Sequence, residues 1–214
     1  MTKVCIINGG YQYEKMFTDR GFTLVQNFKE AELIQFTGGA DVSPCFYGEL
    51  NTDSHCDKKR DLREQELFFY CLEHKIPMAG ICRGGQFLNV MNCGKMQQDV
   101  PNHCKSHKAY DLVEENCTYK YMEVIEDEWG VNDIPKFVKE ETAPIIVTST
   151  HHQIMIPHTN AEILLVALER FNLIEDYEAV WYENSKSLCF QPHPEFGTGE
   201  CQDLYFKYIE KFIL

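Results

Sequence analysis

Pro77-Met78-Ala79-Gly80-Ile81-Cys82-Arg83-Gly84-Gly85-Gln86 is the stretch that decides how this chain is read. A short apolar run passes into Gly-x-Cys-x-Gly and then into a helical pattern, Gly84 to Val90, closed by Gly94. A strand that turns sharply into a helix across small residues lifts the residue at the turn above the sheet. A cysteine at that point meets the positive end of the following helix, which favours its thiolate. Backbone N–H groups at the same turn can hold an oxyanion. The competing reading is a buried cysteine in a tight strand–helix turn, so further groups are needed to choose.

Upstream, Lys3 to Ile7, Phe22 to Val25 and Leu33 to Phe36 read as short buried strands, with a helix over Tyr11 to Arg20. Arg60 to His74 places Leu62, Leu67, Phe68, Cys71 and Leu72 at helical spacing. This strand–helix rhythm predicts an α/β fold with a mostly parallel sheet flanked by helices. The third strand stops at Gly38-Gly39, where the backbone can approach a ligand closely and offer an N–H opposite that of Arg83. Residues 40–59 read as a long polar loop. Downstream, Leu112-Val113, Tyr119 to Ile125, Ile145 to Val147, Glu162 to Leu168, Glu178 to Tyr182 and Ser187 to Phe190 read as strands. Glu126 to Glu141 reads as an acidic surface excursion and Gln202 to Ile213 as an amphipathic helix. No repeat or linker interrupts the pattern, so residues 1–214 are expected to form one domain.

A thiolate nucleophile needs a proton acceptor and a group to orient it. Gln191-Pro192-His193-Pro194-Glu195 follows the last strand, which puts it at the rim of a sheet where α/β sites form. Prolines on both sides of His193 restrict its backbone. In an extended segment Glu195 falls on the same side as His193 and can fix the ring tautomer. The alternative is a rim histidine in a proline-rich loop.

Composition narrows the classes of function. The chain has 214 residues, 20 Lys and Arg against 33 Asp and Glu, and a formal net charge of −13. An acidic balance argues against binding the phosphate backbone of a nucleic acid. No apolar run is long enough to span a membrane. The start of the chain turns polar too soon for a signal peptide, so a cytoplasmic location is expected. The 10 cysteines are scattered without a C-x-x-C pair and read as mostly free, buried thiols.

Two histidine groups remain. His151-His152-Gln153 follows a strand and reads either as part of the substrate pocket or as structure at the same rim. His103, Cys104 and His107 lie close together, but zinc needs about four converging ligands and no second Cys/His pair stands at a fitting spacing. They read as a polar loop crossing near the site, and no metal or cofactor is expected.

Taken in order, Gly80-Ile81-Cys82-Arg83-Gly84-Gly85-Gln86 and His193-Pro194-Glu195 resemble the class I glutamine amidotransferase superfamily. Further stretches narrow the resemblance. They are Thr37-Gly38-Gly39-Ala40-Asp41-Val42-Ser43-Pro44, Tyr47-Gly48-Glu49, Arg60-Asp61 with Glu64, Leu88-Asn89-Val90 before Gly94, Gln98-Asp99, and Ser149-Thr150-His151-His152-Gln153. Together they are similar to the γ-glutamyl-γ-aminobutyrate hydrolase branch, also called the C26 peptidase-like branch. Two positions depart from it: Cys93 stands where a glycine is usual, and Pro192 where an aromatic residue is common.

The resemblance implies a flavodoxin-like sheet and a triad of Cys82 as nucleophile, His193 as base and then acid, and Glu195 as orienter. It implies an oxyanion hole from the N–H groups of Gly39 and Arg83, and Gln86 facing a bound glutamyl group. The implied reaction is hydrolysis of a small-molecule γ-glutamyl amide through a thioester. The alternative is a glutaminase subunit that passes ammonia to a separate synthetase or transferase partner. A third reading keeps the fold as an interaction module, and the complete triad counts against it. Which of Arg60, Asp61, Glu64 and other residues would hold the charged end of a glutamyl group stays open.

Overall fold

The computed structural model describes residues 1–100, 103–113, 120–121, 137–138, 144–168, 175–197 and 199–214. In chain order its elements are β1 (Lys3–Ile7), α1 (Tyr11–Asp19), β2 (Thr23–Leu24), β3 (Leu33–Phe36), α2 (Lys58–His74), β4 (Met78–Ile81), α3 (Arg83–Met91) and β5 (Lys95–Gln97). They continue with β6 (His107–Asp111), β7 (Lys120–Tyr121), β8 (Phe137–Val138), β9 (Ile145–Val147), β10 (Ile154–Ile156), β11 (Glu162–Ala167), β12 (Tyr177–Tyr182), β13 (Ser187–Phe190) and α4 (Glu200–Tyr208).

Nine of these strands form one sheet in the order β2-β1-β3-β4-β13-β12-β11-β6-β9. The first five run parallel, and their order is the 2-1-3-4-5 pattern of flavodoxin-like sheets. From β13 outward every pairing is antiparallel. The expected α/β sheet is therefore present, and its parallel half carries the strand ends that hold Gly38-Gly39, Cys82 and His193. Two small pairs, β5 with β10 and β7 with β8, stand apart from it. Most of the expected strand over Tyr119 to Ile125, and the acidic stretch from Glu126 to Glu141 apart from Phe137 and Val138, lie outside the described residues.

Strand alternation builds two cores. Val4, Leu33, Ala79, Ile81, Leu188 and Phe190 face α1 and α4, meeting Phe17, Leu204, Tyr205 and Tyr208. Cys5, Ile34, Met78 and Cys189 face the other way, onto Phe68 and Cys71 of α2 and Phe87 and Leu88 of α3. The apolar face of the expected C-terminal helix thus packs as core. Helix α2 starts where Asp57 accepts from the Lys59 and Arg60 amides, two residues before its apolar pattern begins.

One strand lies elsewhere than expected. The strand precedes Leu112-Val113, because Asp111 is satisfied within the sheet by α4: Tyr208 Oη and Lys207 Nζ each donate to it at 2.8 Å. A reading based on apolar runs gives such a polar strand no weight. Cys93, the residue in place of a usual glycine, takes φ 69°, a left-handed conformation.

Helix α3 begins pressed against the sheet. A Cβ added at Gly80 would lie 2.3 Å from the carbonyl carbon and oxygen of Gly84, and one added at Gly84 would lie 2.5 Å from the Phe36 oxygen. Both obstacles are backbone, so neither can swing aside. Gly80→Ala is expected to cost about 3 kcal/mol by overpacking, a fall in melting temperature of about 6–12 °C. A thermal melt checks this, and an unchanged midpoint contradicts the close approach.

Candidate active site

Three neighbouring parallel strands end side by side. β3 runs into Gly38-Gly39, β4 into Cys82, and β13 into the segment holding His193 and Glu195. Adjacency of β4 and β13 is what brings together residues more than a hundred positions apart.

Cys82 sits at φ 52° and ψ −116°, between the last residue of β4 and the first of α3. An L-residue avoids this conformation, at a cost of about 1–3 kcal/mol, and it persists only where its surroundings enforce it. Here they do: the Cys82 N–H donates to the Phe190 carbonyl at 2.8 Å, and the Cys82 carbonyl accepts from the Gln86 N–H at 3.0 Å. That last bond opens the intrahelical ladder, so the Arg83 N–H belongs to the unpaired first turn of α3. Gln86 itself is buried one turn along.

His193 is held from every side. Its N–H donates to the Thr148 carbonyl at 2.8 Å, and its ring stacks on Phe196 with centroids 4.7 Å apart and planes within 11°. Ring Nδ1 donates to Glu195 Oε1 at 2.6 Å, as a carboxylate can only accept. Nε2 is thereby left for the Thr150 hydroxyl, at 2.7 Å, and for Cys82, which lies within hydrogen-bonding reach. Gln202 of α4 anchors the same segment, donating to the carbonyls of Pro194 and Gly197 at 3.1 Å. Burial disfavours the charged ring, but hydrogen bonding with Cys82 and Glu195 outweighs it and raises the His193 pKa to about 10. The imidazole therefore carries its proton at neutral pH.

Gly38 closes the site from the β3 side. A Cβ there would lie 3.3 Å from His193 Cε1 and 3.7 Å from Cys82 Cβ. The Arg60 guanidinium fixes the strand end by donating to the carbonyls of Thr37 at 2.8 Å and Gly38 at 2.9 Å. A trans peptide then turns the Gly39 N–H away from Arg60. Gly39 takes φ 138°, and a side chain there would strike Arg60 Nη1 at 2.4 Å.

The charged groups left undecided by sequence have structural duties. Asp61 and Glu64 are fully buried, and both pair with the Arg83 guanidinium. Glu64 also accepts from Arg60 Nε at 2.7 Å. This four-residue network locks the base of α2 to the start of α3 and to the Gly38-Gly39 segment.

Of the two rim histidines, His151 turns out to be spent elsewhere: Nδ1 donates to the Gln153 carbonyl at 3.0 Å, and Nε2 faces Glu178 at 3.6 Å inside a buried polar cluster. These contacts fit the structural one of the two roles that sequence leaves open for His151. His152 remains at the rim, partly exposed, with Nδ1 3.2 Å from Asp99 and Nε2 3.3 Å from Asp41. Cys104 stays outside the cluster, donating to the Thr150 carbonyl at 3.4 Å.

Three contributors escaped the sequence reading. Tyr13 on α1 accepts from the Gly38 N–H at 3.1 Å, and burial followed by the adjacent Glu195 carboxylate pushes its phenol well above the usual range. Thr150 and Phe196 touch the His193 ring. No periodicity or spacing marks these residues; only the neighbouring motifs Ser149-Thr150-His151 and Pro194-Glu195-Phe196 hint at them.

Comparison with known proteins agrees with this architecture. The family model described as Peptidase C26 matches residues 23–195. The glutamine amidotransferase-like protein YvdE of Lactococcus lactis subsp. lactis is 30% identical over 215 residues, spanning 92% of this chain and 84% of its own. A gamma-glutamyl-CDP-amidate hydrolase of Campylobacter jejuni is 46% identical over 168 residues, 78% of this chain and 65% of its own. A gamma-glutamyl-gamma-aminobutyrate hydrolase of Escherichia coli O157:H7 is 27% identical over 167 residues, 75% and 62% of the two chains. Among solved structures, a glutamine amidotransferase from Thermotoga maritima superposes with a TM-score of 0.59 at 15% identity, covering 98% of this chain and 84% of that one. Among the described residues no helix is long and apolar enough to cross a membrane.

Proposed function

Because this chain belongs to the peptidase C26 family of amide-bond hydrolases, we propose that it cleaves a γ-glutamyl amide through a thioester on Cys82. The observation that carries this reading is the meeting of a strained Cys82 with a His193 ring whose other nitrogen is taken by Glu195.

The chemistry runs in two halves. The Cys82 sulfur attacks the γ-carbonyl carbon, forming a C–S bond and placing negative charge on the carbonyl oxygen. The N–H groups of Gly39 and Arg83 receive that charge, a contribution of about 3–4 kcal/mol per donor. The C–N bond then breaks, and the His193 imidazolium gives its proton to the departing amine. In the second half His193, now neutral, takes a proton from water. The hydroxide so formed attacks the thioester carbon, the C–S bond breaks, and glutamate leaves. Glu195 keeps the ring in the tautomer both halves require. Gln86, buried one turn beyond Cys82, is the residue proposed to face the glutamyl group.

The two γ-glutamyl hydrolases among the relatives support a γ-glutamyl substrate with a small-molecule leaving group. The competing assignment, ammonia supply to a separate synthetase, shares the first half and differs in its leaving group. A glutamate-release assay separates them, using glutamine, γ-glutamyl-γ-aminobutyrate, γ-glutamyl-putrescine, folate polyglutamate and a nucleotide-linked glutamine. Preferred turnover of one bulky amide is the expected result. Turnover of glutamine alone assigns the chain to ammonia supply, and turnover of none removes the γ-glutamyl reading.

A further inference from the structure

Beside the triad lies a second group of chemically matched residues that the proposed reaction does not use. His103 and His107 come from the segment entering β6, His151 from the loop between β9 and β10, and Asp176 and Glu178 from the start of β12. All five side chains are buried, Glu178 completely. His103 Nε2 lies 3.1 Å from Asp176 Oδ2, His107 Nε2 2.7 Å from Glu178 Oε1 and 4.0 Å from Asp176 Oδ2, and His151 Nε2 3.6 Å from Glu178 Oε2.

Neutral histidines alone do not satisfy this cluster. His107 Nδ1 and His151 Nδ1 face the carbonyls of Lys105 and Gln153 at 3.1 and 3.0 Å. Carbonyls only accept, so each Nδ1 carries a hydrogen, and each Nε2 can meet the carboxylates only through a second proton or through a cation in its place. The groups they meet are carboxylates, which also only accept. Accordingly His151 Nε2, Asp176 Oδ1 and Glu178 Oε2 are buried without a hydrogen-bond partner. Imidazole nitrogens brought this close to buried carboxylates are also what a metal cation requires. Histidines fixed through Nδ1 to backbone carbonyls are the usual outer support of a metal-binding imidazole.

The ligand atoms also converge. Those of His103, His151 and Glu178 lie within 4.8 Å of one another, as do those of His107, Asp176 and Glu178, so Glu178 is common to both trios. Ligands bound to one zinc ion at about 2.0–2.1 Å stand about 3–4 Å apart, so the widest separations here would close by about 1–2 Å. Imidazole nitrogens select a zinc-type transition ion over magnesium or calcium.

We infer that this cluster binds one divalent transition-metal ion of the zinc type, with Glu178 as the shared ligand, and that the ion staples the two segments holding His193. His151 follows Thr150, whose hydroxyl meets His193 Nε2, and the Glu178 carbonyl accepts from the Gln191 N–H at 2.7 Å, two residues before His193. The ion is a positioning device and takes no part in bond making. The inference is independent of the substrate reading, because its measurements need no turnover.

The test is elemental analysis and zinc titration of the full chain. About one zinc per chain is expected after purification without chelator. Stripping with dipicolinate should lower the melting temperature by about 10 °C, and one equivalent of zinc should restore it. Glu178→Gln and His151→Asn should each weaken zinc binding by more than about 100-fold, whereas Cys104→Ser should leave it unchanged. If those two variants fail to fold, cobalt substitution in the unaltered chain decides: nitrogen and oxygen ligation gives no thiolate charge-transfer band. Three results would overturn the inference. They are a stripped chain that melts like the untreated one and takes up no stoichiometric zinc, zinc uptake indifferent to the cluster variants, and a cobalt spectrum dominated by thiolate.

Discussion

Cys82→Ala is expected to abolish amide hydrolysis while leaving the protein folded. The thiol is nearly buried and shaped by its surroundings into a conformation that alanine can adopt at the same cost, so the turn survives the exchange. What disappears is the atom to which the acyl group would be attached. Members of such a triad act as one unit, and removal of the nucleophile costs about 10⁶ in turnover. Circular dichroism and a melt should match the parent while glutamate release falls to background. Cys45→Ser and Cys93→Ser, at exposed thiols, should retain full activity. Retention of more than about 1% of turnover in Cys82→Ala would remove nucleophilic catalysis from this site.

Glu195→Gln carries the second largest expected effect, about 10⁴ in kcat, by allowing the wrong tautomer. It also makes a prediction in pH. The His193 pKa is raised to about 10 because Cys82 and Glu195 stabilise the imidazolium more than burial penalises it. The folded-state value lies above the unfolded one. The stabilisation is therefore complete below about pH 6.5 and lost as pH climbs through about 10. In the parent, kcat/KM should hold to alkaline pH and fall near 10, where the leaving amine loses its proton donor. Without the carboxylate the alkaline limb should move to lower pH, and the alkaline decline in melting temperature should begin earlier. An unmoved limb in Glu195→Gln means that Glu195 does not set the charge of His193.

The residues that make the site were readable from sequence to very different degrees. Cys82 announces itself because the elbow is local: strand, small residues, helix. His193 and Glu195 were readable as a pair since two residues of extended chain suffice to align them. That the pair faces Cys82 depends on β13 lying next to β4, a long-range pairing that no local pattern encodes. The same holds for the antiparallel half of the sheet, whose polar strand β6 is stabilised by residues of α4. Sequence left open whether Arg60, Asp61, Glu64 or other residues meet the charged end of a glutamyl group. Asp61 and Glu64 are buried against Arg83, and Arg60 pairs with Glu64, so all three brace the fold. The histidine–carboxylate cluster was hidden for a related reason. Its members come from three segments far apart in sequence, so spacing around His103 and His107 gives no sign of the carboxylates that the fold sets beside them.

The most direct test of covalent catalysis is to quench the enzyme with acid during turnover of its best γ-glutamyl amide and measure the intact mass, followed by peptide mapping. A gain of one glutamyl group on the peptide containing Cys82, absent from Cys82→Ala and discharged by hydroxylamine, is the expected result. Turnover with an unmodified Cys82 peptide, or an adduct residing on a different cysteine, contradicts it.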